Sequence, residues 1–355
     1  MIKVKNFTDF ELFTKQLEDM PIFKHLIPYY DNKKPFTGLH IIIAHVLVPN
    51  TLPLIACVKL GGAKVTVIPS TPAYKQEVIE ILDKVDCKVD FDLKSASAFD
   101  YAFDVGGIFA DSLPKFGVIE VTRSGVHKYK PKSNEIVIIS ADDSKCKLLE
   151  TFIGNPQSTL LAFERFIGDP NQILQNKTLA VIGFGKIGRG IARLFKSYCS
   201  ILVCDINDGV LVKAKKMNFK TFKITNDKQR NYENVNHVDF VISCTGFANT
   251  ITDHFQKLTN PILINLGNYD EFGSNYSSID VFMSKDRPFN FNNDPPTANR
   301  YIDPILASEV EALKYLIEHN LSNGFYPLPE KIDYELIKKF LMFNKEDISD
   351  IDRYF

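Results

Sequence analysis

Lys177-Thr178-Leu179-Ala180-Val181-Ile182-Gly183-Phe184-Gly185-Lys186-Ile187-Gly188-Arg189-Gly190-Ile191, followed by Ser200-Ile201-Leu202-Val203-Cys204-Asp205, is the stretch that decides the fold. Thr178 to Ile182 is a short apolar run rich in strand formers, as a buried parallel strand should be. Gly183, Gly185 and Gly188 then give a G-x-G-x-x-G. The first glycine permits a tight turn, the second removes a side chain where a pyrophosphate approaches the backbone, and the third lets helix and strand pack closely. Ile187, Ile191 and Leu194 recur at helical spacing, so the loop with Phe184, Lys186 and Ile187 opens a helix whose free N–H groups face a phosphate. A second strand, Ile201 to Cys204, ends at Asp205, about twenty residues past the glycines. A carboxylate there accepts from a ribose diol and repels a 2′-phosphate, which favours NAD over NADP. A lone glycine pattern is weak; one set between two strands with the acid in place is specific.

Outward from this core, the chain alternates short apolar runs with helical patterns. N-terminal to it, residues 9–30 read as helical, Leu39 to Ala44 as a buried strand, and Asn50 as the cap of a helix from Leu52 to Leu60 stopped by Gly61-Gly62. Further strands are expected at Lys64–Ile68, Lys88–Phe91, Tyr101–Asp104, Phe116–Val121 and Glu135–Ser140, with a helix at Gln76–Lys84. Asn155-Pro156 reads as a helix start, with Asn as N-cap and Pro at the first position. C-terminal to the core, strands at Asn236–Ser243 and Pro261–Leu266 end in Cys244-Thr245-Gly246 and Gly267-Asn268. These are small residues where a cofactor would lie across the carboxyl edge of a sheet. Lys285–Arg300 reads as an irregular linker, Ile302–His319 as a helix returning to the first domain, Tyr334–Phe343 as a short helix, and Glu346–Asp352 as an acidic end. The expected fold is α/β, with two doubly wound domains. Residues 1–155 with 298–355 form a substrate domain, and 156–297 form a Rossmann NAD-binding domain.

The 355 residues are 45% hydrophobic and 24% charged with a net charge of −1, an ordinary globular balance without a basic field for nucleic acid. The start lacks the apolar segment of a signal peptide, and the longest apolar run, Leu39–Val48, is too short to span a bilayer. The six cysteines form no C-x-x-C, and the His and Cys spacings match no zinc pattern. Reduced thiols in a cytoplasmic protein without a metal are expected. Cys146 stands apart because Lys145 and Lys147 flank it and would lower its pKa.

Three stretches together resemble the S-adenosylhomocysteine hydrolase family. Gly117-Val118-Ile119-Glu120-Val121-Thr122-Arg123-Ser124-Gly125-Val126-His127 is similar to that family's G-I-S-E-E-T-T-T-G-V-H, and the second stretch is Lys177–Asp208. The third runs from Asp239-Phe240-Val241-Ile242-Ser243-Cys244-Thr245-Gly246 through Asp253-His254-Phe255 to Asn265-Leu266-Gly267-Asn268-Tyr269-Asp270. Asp104-Val105-Gly106-Gly107 resembles D-D-G-G. The resemblance implies a tightly held NAD that oxidises a substrate hydroxyl and is regenerated each turnover. It implies that Thr122 and Ser124 touch NAD, that Asp205 holds the adenosine ribose, and that Thr245-Gly246 lie on the nicotinamide side; Gly267 and Asn268, at the next strand end, are further cofactor-binding candidates. Lys145 falls at the lysine of K-S-K-F-D-N and would help deprotonate the hydroxyl. Glu150 stands near that motif's aspartate after a one-residue gap, and His45 near the family's substrate-domain histidine. With Asp104 these are the candidate catalytic groups. The chain departs from the pattern at Val105, Val121 and Asn268, where the family carries Asp, Glu and His. Valine neither accepts a hydrogen bond nor moves a proton, so these departures point away from authentic hydrolysis of adenosylhomocysteine and leave NAD binding in place.

Each candidate also has a structural use. Lys145 is equally read as a solvated lysine, His45 as a satisfied core histidine, and Asp104 as a cap. Three functional readings follow. One is an NAD-dependent enzyme of the resembled group acting on a small hydroxylated, nucleoside-like substrate, as a homodimer. The second is a freely exchanging 2-hydroxyacid-type dehydrogenase, for which Arg300 and His254 are the available partners. The third is a non-catalytic NAD-binding protein.

Overall fold

The computed structural model describes residues 5–71, 74–92 and 99–345; the acidic end Glu346–Asp352 lies outside them. The chain divides into two compact units, Met1–Glu150 with Asn299–Phe355, and Thr151–Ala298. Each is built on a parallel sheet with helices on both faces, the layering that alternating strand and helix segments require.

The first unit holds strands β1 (His40–His45), β2 (Lys64–Pro69), β3 (Lys88–Val89), β4 (Tyr101–Asp104), β5 (Gly117–Glu120) and β6 (Val137–Ser140). The second holds β7 (Thr178–Ile182), β8 (Ser200–Asp205), β9 (Lys220–Lys223), β10 (Phe240–Ser243) and β11 (Ile262–Asn265); β12 (Gly324–Pro327) returns to the first. The first sheet runs β12-β6-β5-β4-β1-β2-β3 and the second β11-β10-β7-β8-β9, every pairing parallel. In both, strand order reverses beside the first central strand, between β1 and β4 and between β7 and β10. The carboxyl ends of strands flanking such a reversal are where open α/β sheets bind ligands.

Strand burial explains the absence of alternation in sequence. In β7, Leu179 and Val181 join one core cluster, with Phe163, Phe195 and Val203, while Ala180 and Ile182 join the opposite one, with Val241 and Phe255. Both faces are covered, so the whole strand is apolar.

Several local expectations are corrected. The helix expected over 9–30 is two helices, Glu11–Glu18 and Pro21–Lys33, because Pro21 opens a new one at its first position. Asn50 lies in a 3₁₀ turn, and Thr51 occupies the position before the helix Leu52–Leu60. Asn155 does not cap a helix: Lys145–Leu148 passes through a π-helical turn, Leu149–Gly154, into Asn155–Phe166. Asn155 instead accepts from Thr297 Oγ1 at 2.7 Å. The expected linker Lys285–Arg300 is packed structure. Asn290 and Asn293 are buried, Asn293 Nδ2 donating to Ser158 O at 2.7 Å and Asn290 Nδ2 to Pro296 O at 3.0 Å. Asparagine here closes backbone hydrogen bonds in an irregular but ordered path. The returning helix spans Asn299–Glu318 and the last described helix Glu330–Phe343. No helix among the described residues is long and apolar enough to cross a membrane.

Candidate functional site

In the second unit the three fingerprint glycines take separate roles. Gly183 has φ +91°, and a Cβ there would sit 2.8 Å from Cys244 O. A Cβ on Gly188 would sit 2.0 Å from Gly183 O, so helix Lys186–Phe195 meets the turn at a spacing only glycine allows. Gly185 is different: it is exposed, and nothing lies within 4 Å of where its Cβ would be. That is open space at the amino end of a ten-residue helix. Lys186 and Ile187 are half-buried in its first turn, whereas the Phe184 side chain is buried in the core against Phe219.

Asp205 ends β8 beside this turn. Its Oδ2 accepts from Phe184 N and its Oδ1 from Asn207 N, both at 2.8 Å. Each oxygen keeps a second lone pair for another donor. Across the sheet reversal, the loop after β10 is held from below by Glu271, which is fully buried. It accepts from Thr245 N at 2.9 Å, Gly246 N at 2.6 Å and the Ser243 hydroxyl. Burial pushes the Glu271 carboxyl up against the pull of these donors. Gly267 must lack a side chain because a Cβ would meet Glu271 Oε1 at 2.1 Å. Gly246, with φ +79°, and Asn268 are exposed. The second unit therefore brings Gly183–Gly188, Asp205, Thr245-Gly246 and Gly267-Asn268 to the carboxyl edge of one sheet.

In the first unit the same edge carries His45, Asp104, Glu120 and the turn after β6. Asp104 is fully buried and serves the fold: Oδ1 accepts from Ile108 N at 3.0 Å, Oδ2 from Phe109 N at 2.9 Å and from the Tyr129 hydroxyl. Glu120 gathers Gly107 N, Val121 N and Thr122 N at 2.7 to 3.0 Å and Thr122 Oγ1 at 2.6 Å. Burial, then the neighbouring Asp104 charge, push Glu120 up to about 8. Thr122 is the N-cap of helix Arg123–Tyr129, accepting from Gly125 N at 3.1 Å, and lies 3.2 Å from Ser124 Oγ.

Lys145 is exposed; its amide and that of Cys146 are held by Asp333 at 2.8 and 3.0 Å. The buried lysine is Lys147, whose Nζ lies 2.7 Å from Glu150 Oε2. Burial opposes its ammonium, but Glu150, Asp142 and Glu309 outweigh that and hold its pKa above the ordinary value. Asp142 is paired with Arg123 Nε at 2.9 Å. His45 Nε2 lies 3.6 Å from Glu309 Oε1. So His45 and Glu150 do join a charged cluster, but with Lys147, Asp142 and Glu309, which sequence reading passed over. The expectation for Cys146 is overturned, since burial first and then Asp333 raise its thiol pKa well above normal. Arg300 begins the returning helix of the first unit, and His254 ends a short helix of the second. Among the described residues no group of His, Cys, Asp and Glu is arranged to hold a metal.

No protein-family model matches the chain. It is 26% identical to the adenosylhomocysteinase of Pyrococcus abyssi over 283 residues, covering 71% of this chain and 64% of that protein's length. To the S-inosyl-L-homocysteine hydrolase of Methanothermobacter thermautotrophicus it is 21% identical over 377 residues, covering 89% of this chain and 87% of the other. The crystal structure of a dipicolinate synthase component from Bacillus halodurans superposes with a TM-score of 0.45 at 14% identity, over 77% of this chain and 97% of that one. Identity of 21–26%, repeated across several such proteins, makes this chain a distant relative of the adenosylhomocysteinases and S-inosyl-L-homocysteine hydrolases.

Proposed function

We propose that the chain is an NAD-dependent enzyme that oxidises a small hydroxylated substrate, nucleoside-like in character, with the cofactor held by Thr151–Ala298. The open space at Gly185 carries this reading. A pyrophosphate fits there against the helix amino end, and a ribose diol fits the unused lone pairs of Asp205. Bound there, NAD would supply a hydride acceptor for a carbinol carbon. Of the chain's own residues, Glu271 fixes the Thr245-Gly246 loop within the second unit, and His45 is the candidate proton acceptor within the first. The two relatives are named for nucleoside thioethers of homocysteine, which supports the nucleoside-like substrate.

A second reading, a non-catalytic NAD-binding protein, draws on one observation. The carboxylates at 104 and 120 are engaged with backbone amides and neighbouring hydroxyls, and Val105 and Val121 follow them.

Native mass spectrometry of the purified protein, followed by acid extraction, tests both. One NAD per chain retained through gel filtration supports a resident cofactor, and a nucleoside and thioether screen then separates enzyme from binder. A protein that comes off empty but binds added NADH weakly points instead to an exchanging dehydrogenase. Binding of neither form overturns the reading.

A further inference from the structure

Helix Asn299–Glu318 contains a residue that its apolar face does not explain. Glu309 lies on the same face as Ile305, Leu306, Ala312 and Leu313, all buried, and is itself 0% exposed. Neither of its carboxylate oxygens has a hydrogen-bond partner. A buried carboxylate without donors is costly, and natural folds keep one where it serves a site. Among the described residues, Lys147 and His45 are the charged or titratable groups that the structure sets against it. Lys147 supplies a compensating field but spends a hydrogen bond on Glu150, with Asp142 also nearby. His45, at the end of β1, is the other. Its Nε2 is buried, has no hydrogen-bond partner, and stands 3.6 Å from Glu309 Oε1. Two orphans therefore face each other a few tenths of an ångström beyond hydrogen-bond distance.

We propose that Glu309 is a positioning residue that fixes the His45 proton on Nε2, leaving the Nδ1 lone pair as acceptor for a substrate hydroxyl. The opposite tautomer would turn the Nε2 lone pair toward a buried carboxylate, acceptor against acceptor. In return it would gain a neutral contact from Nδ1 to Val46 O, at 3.5 Å the outer limit of such a bond. A charge-assisted hydrogen bond is about twice as strong as a neutral one, and the loss of pairing for a buried charge adds to the difference, so Nε2–H wins. An acceptor nitrogen suits a neutral hydroxyl, and the nearby Lys147 ammonium works against a substrate that presents its own ammonium here. The substrate half of this inference rests on the hydroxylated-substrate reading above; the tautomer half does not.

Long-range proton–nitrogen correlation spectra of the full-length protein, ¹⁵N-labelled at histidine and taken at about pH 9 where an ordinary imidazole is neutral, test it. His45 signals are assigned by their loss in His45→Asn. The expected wild-type spectrum has a protonated-type Nε2 and an acceptor-type Nδ1. Glu309→Gln, which keeps an acceptor oxygen, retains that pattern. Glu309→Leu moves the proton to Nδ1 or averages the two nitrogens, a change that loss of packing alone does not produce. A wild-type proton on Nδ1 overturns the proposal whether or not Glu309→Leu folds, and so does a folded Glu309→Leu with the wild-type pattern. No nucleotide is present in this experiment, so failure to bind NAD and failure of the tautomer assignment are read separately.

Discussion

Gly185 and Gly188 are three residues apart and answer to different constraints. Nothing in the protein occupies the space that a side chain at 185 would fill, and its backbone, at φ −72° and ψ −157°, suits any residue. Gly185→Val should therefore leave Tm within about 2 °C, while lowering NAD affinity at least about 100-fold by filling the proposed pyrophosphate cradle. At 188 the clash is with the backbone oxygen of Gly183, which has nowhere to go. Gly188→Ala should destabilise by about 3 kcal/mol or more, seen as a lower denaturant midpoint. Equal thermal losses in the two variants would remove the distinction between a ligand glycine and a packing glycine. The fingerprint was legible in sequence because its reasons are local. Glu309 was not, because its partner His45 lies on a strand far away in sequence. A signal was nevertheless present: a lone glutamate on an otherwise apolar helical stripe.

At the scale of elements, the returning helix does more than cover a sheet. Asp303, nearly two turns before Glu309, is buried and accepts from Ile22 N at 2.8 Å and Phe23 N at 3.1 Å, capping helix Pro21–Lys33 from outside its own sequence. Burial pushes the Asp303 carboxyl up to about 7 against the pull of those two amides. A carboxyl whose folded pKa is raised stabilises the fold most below its unfolded value, about 3.9, and loses that contribution as pH rises through about 7. Relative to Asp303→Asn, the wild type should therefore lose about 2–4 kcal/mol of stability between about pH 4 and pH 8, measured by denaturant unfolding at each pH. A constant difference would mean that Asp303 stays ionised throughout. Strands β1, β2, β7, β8, β10 and β11 were legible because burial on both faces writes a continuous apolar run. Strand β12 was missed because Gly324-Phe325-Tyr326-Pro327 gets its conformation from pairing with β6. The π-helical turn was missed because nothing in local propensity asks for one.

Across the chain as a unit, a single feature repeats. In each unit a buried glutamate, Glu120 or Glu271, sits at the carboxyl edge of a parallel sheet and gathers the amides of glycine-bearing loops. In the second unit that edge is the proposed nucleotide site, so NAD at about 100 times its Kd should add about 2.7 kcal/mol to that unit. Hydrogen exchange should slow by up to about 100-fold at residues 183–191 and 245–247, and an unchanged rate there would count against the site. The division of the chain also bears on how the protein is made. The first unit needs β12 and helix Asn299–Glu318, yet all of Thr151–Ala298 leaves the ribosome before them. At about 5–20 residues per second, that interval lasts about 7–30 s. Throughout it, β6 offers a bare edge to any passing strand, and His45 waits for Glu309. The second unit is contiguous in sequence and can close on itself during translation, whereas the first is completed only by β12 and helix Asn299–Glu318. A chain stopped between residue 299 and β12 therefore carries every residue of the second unit and an unfinished first one.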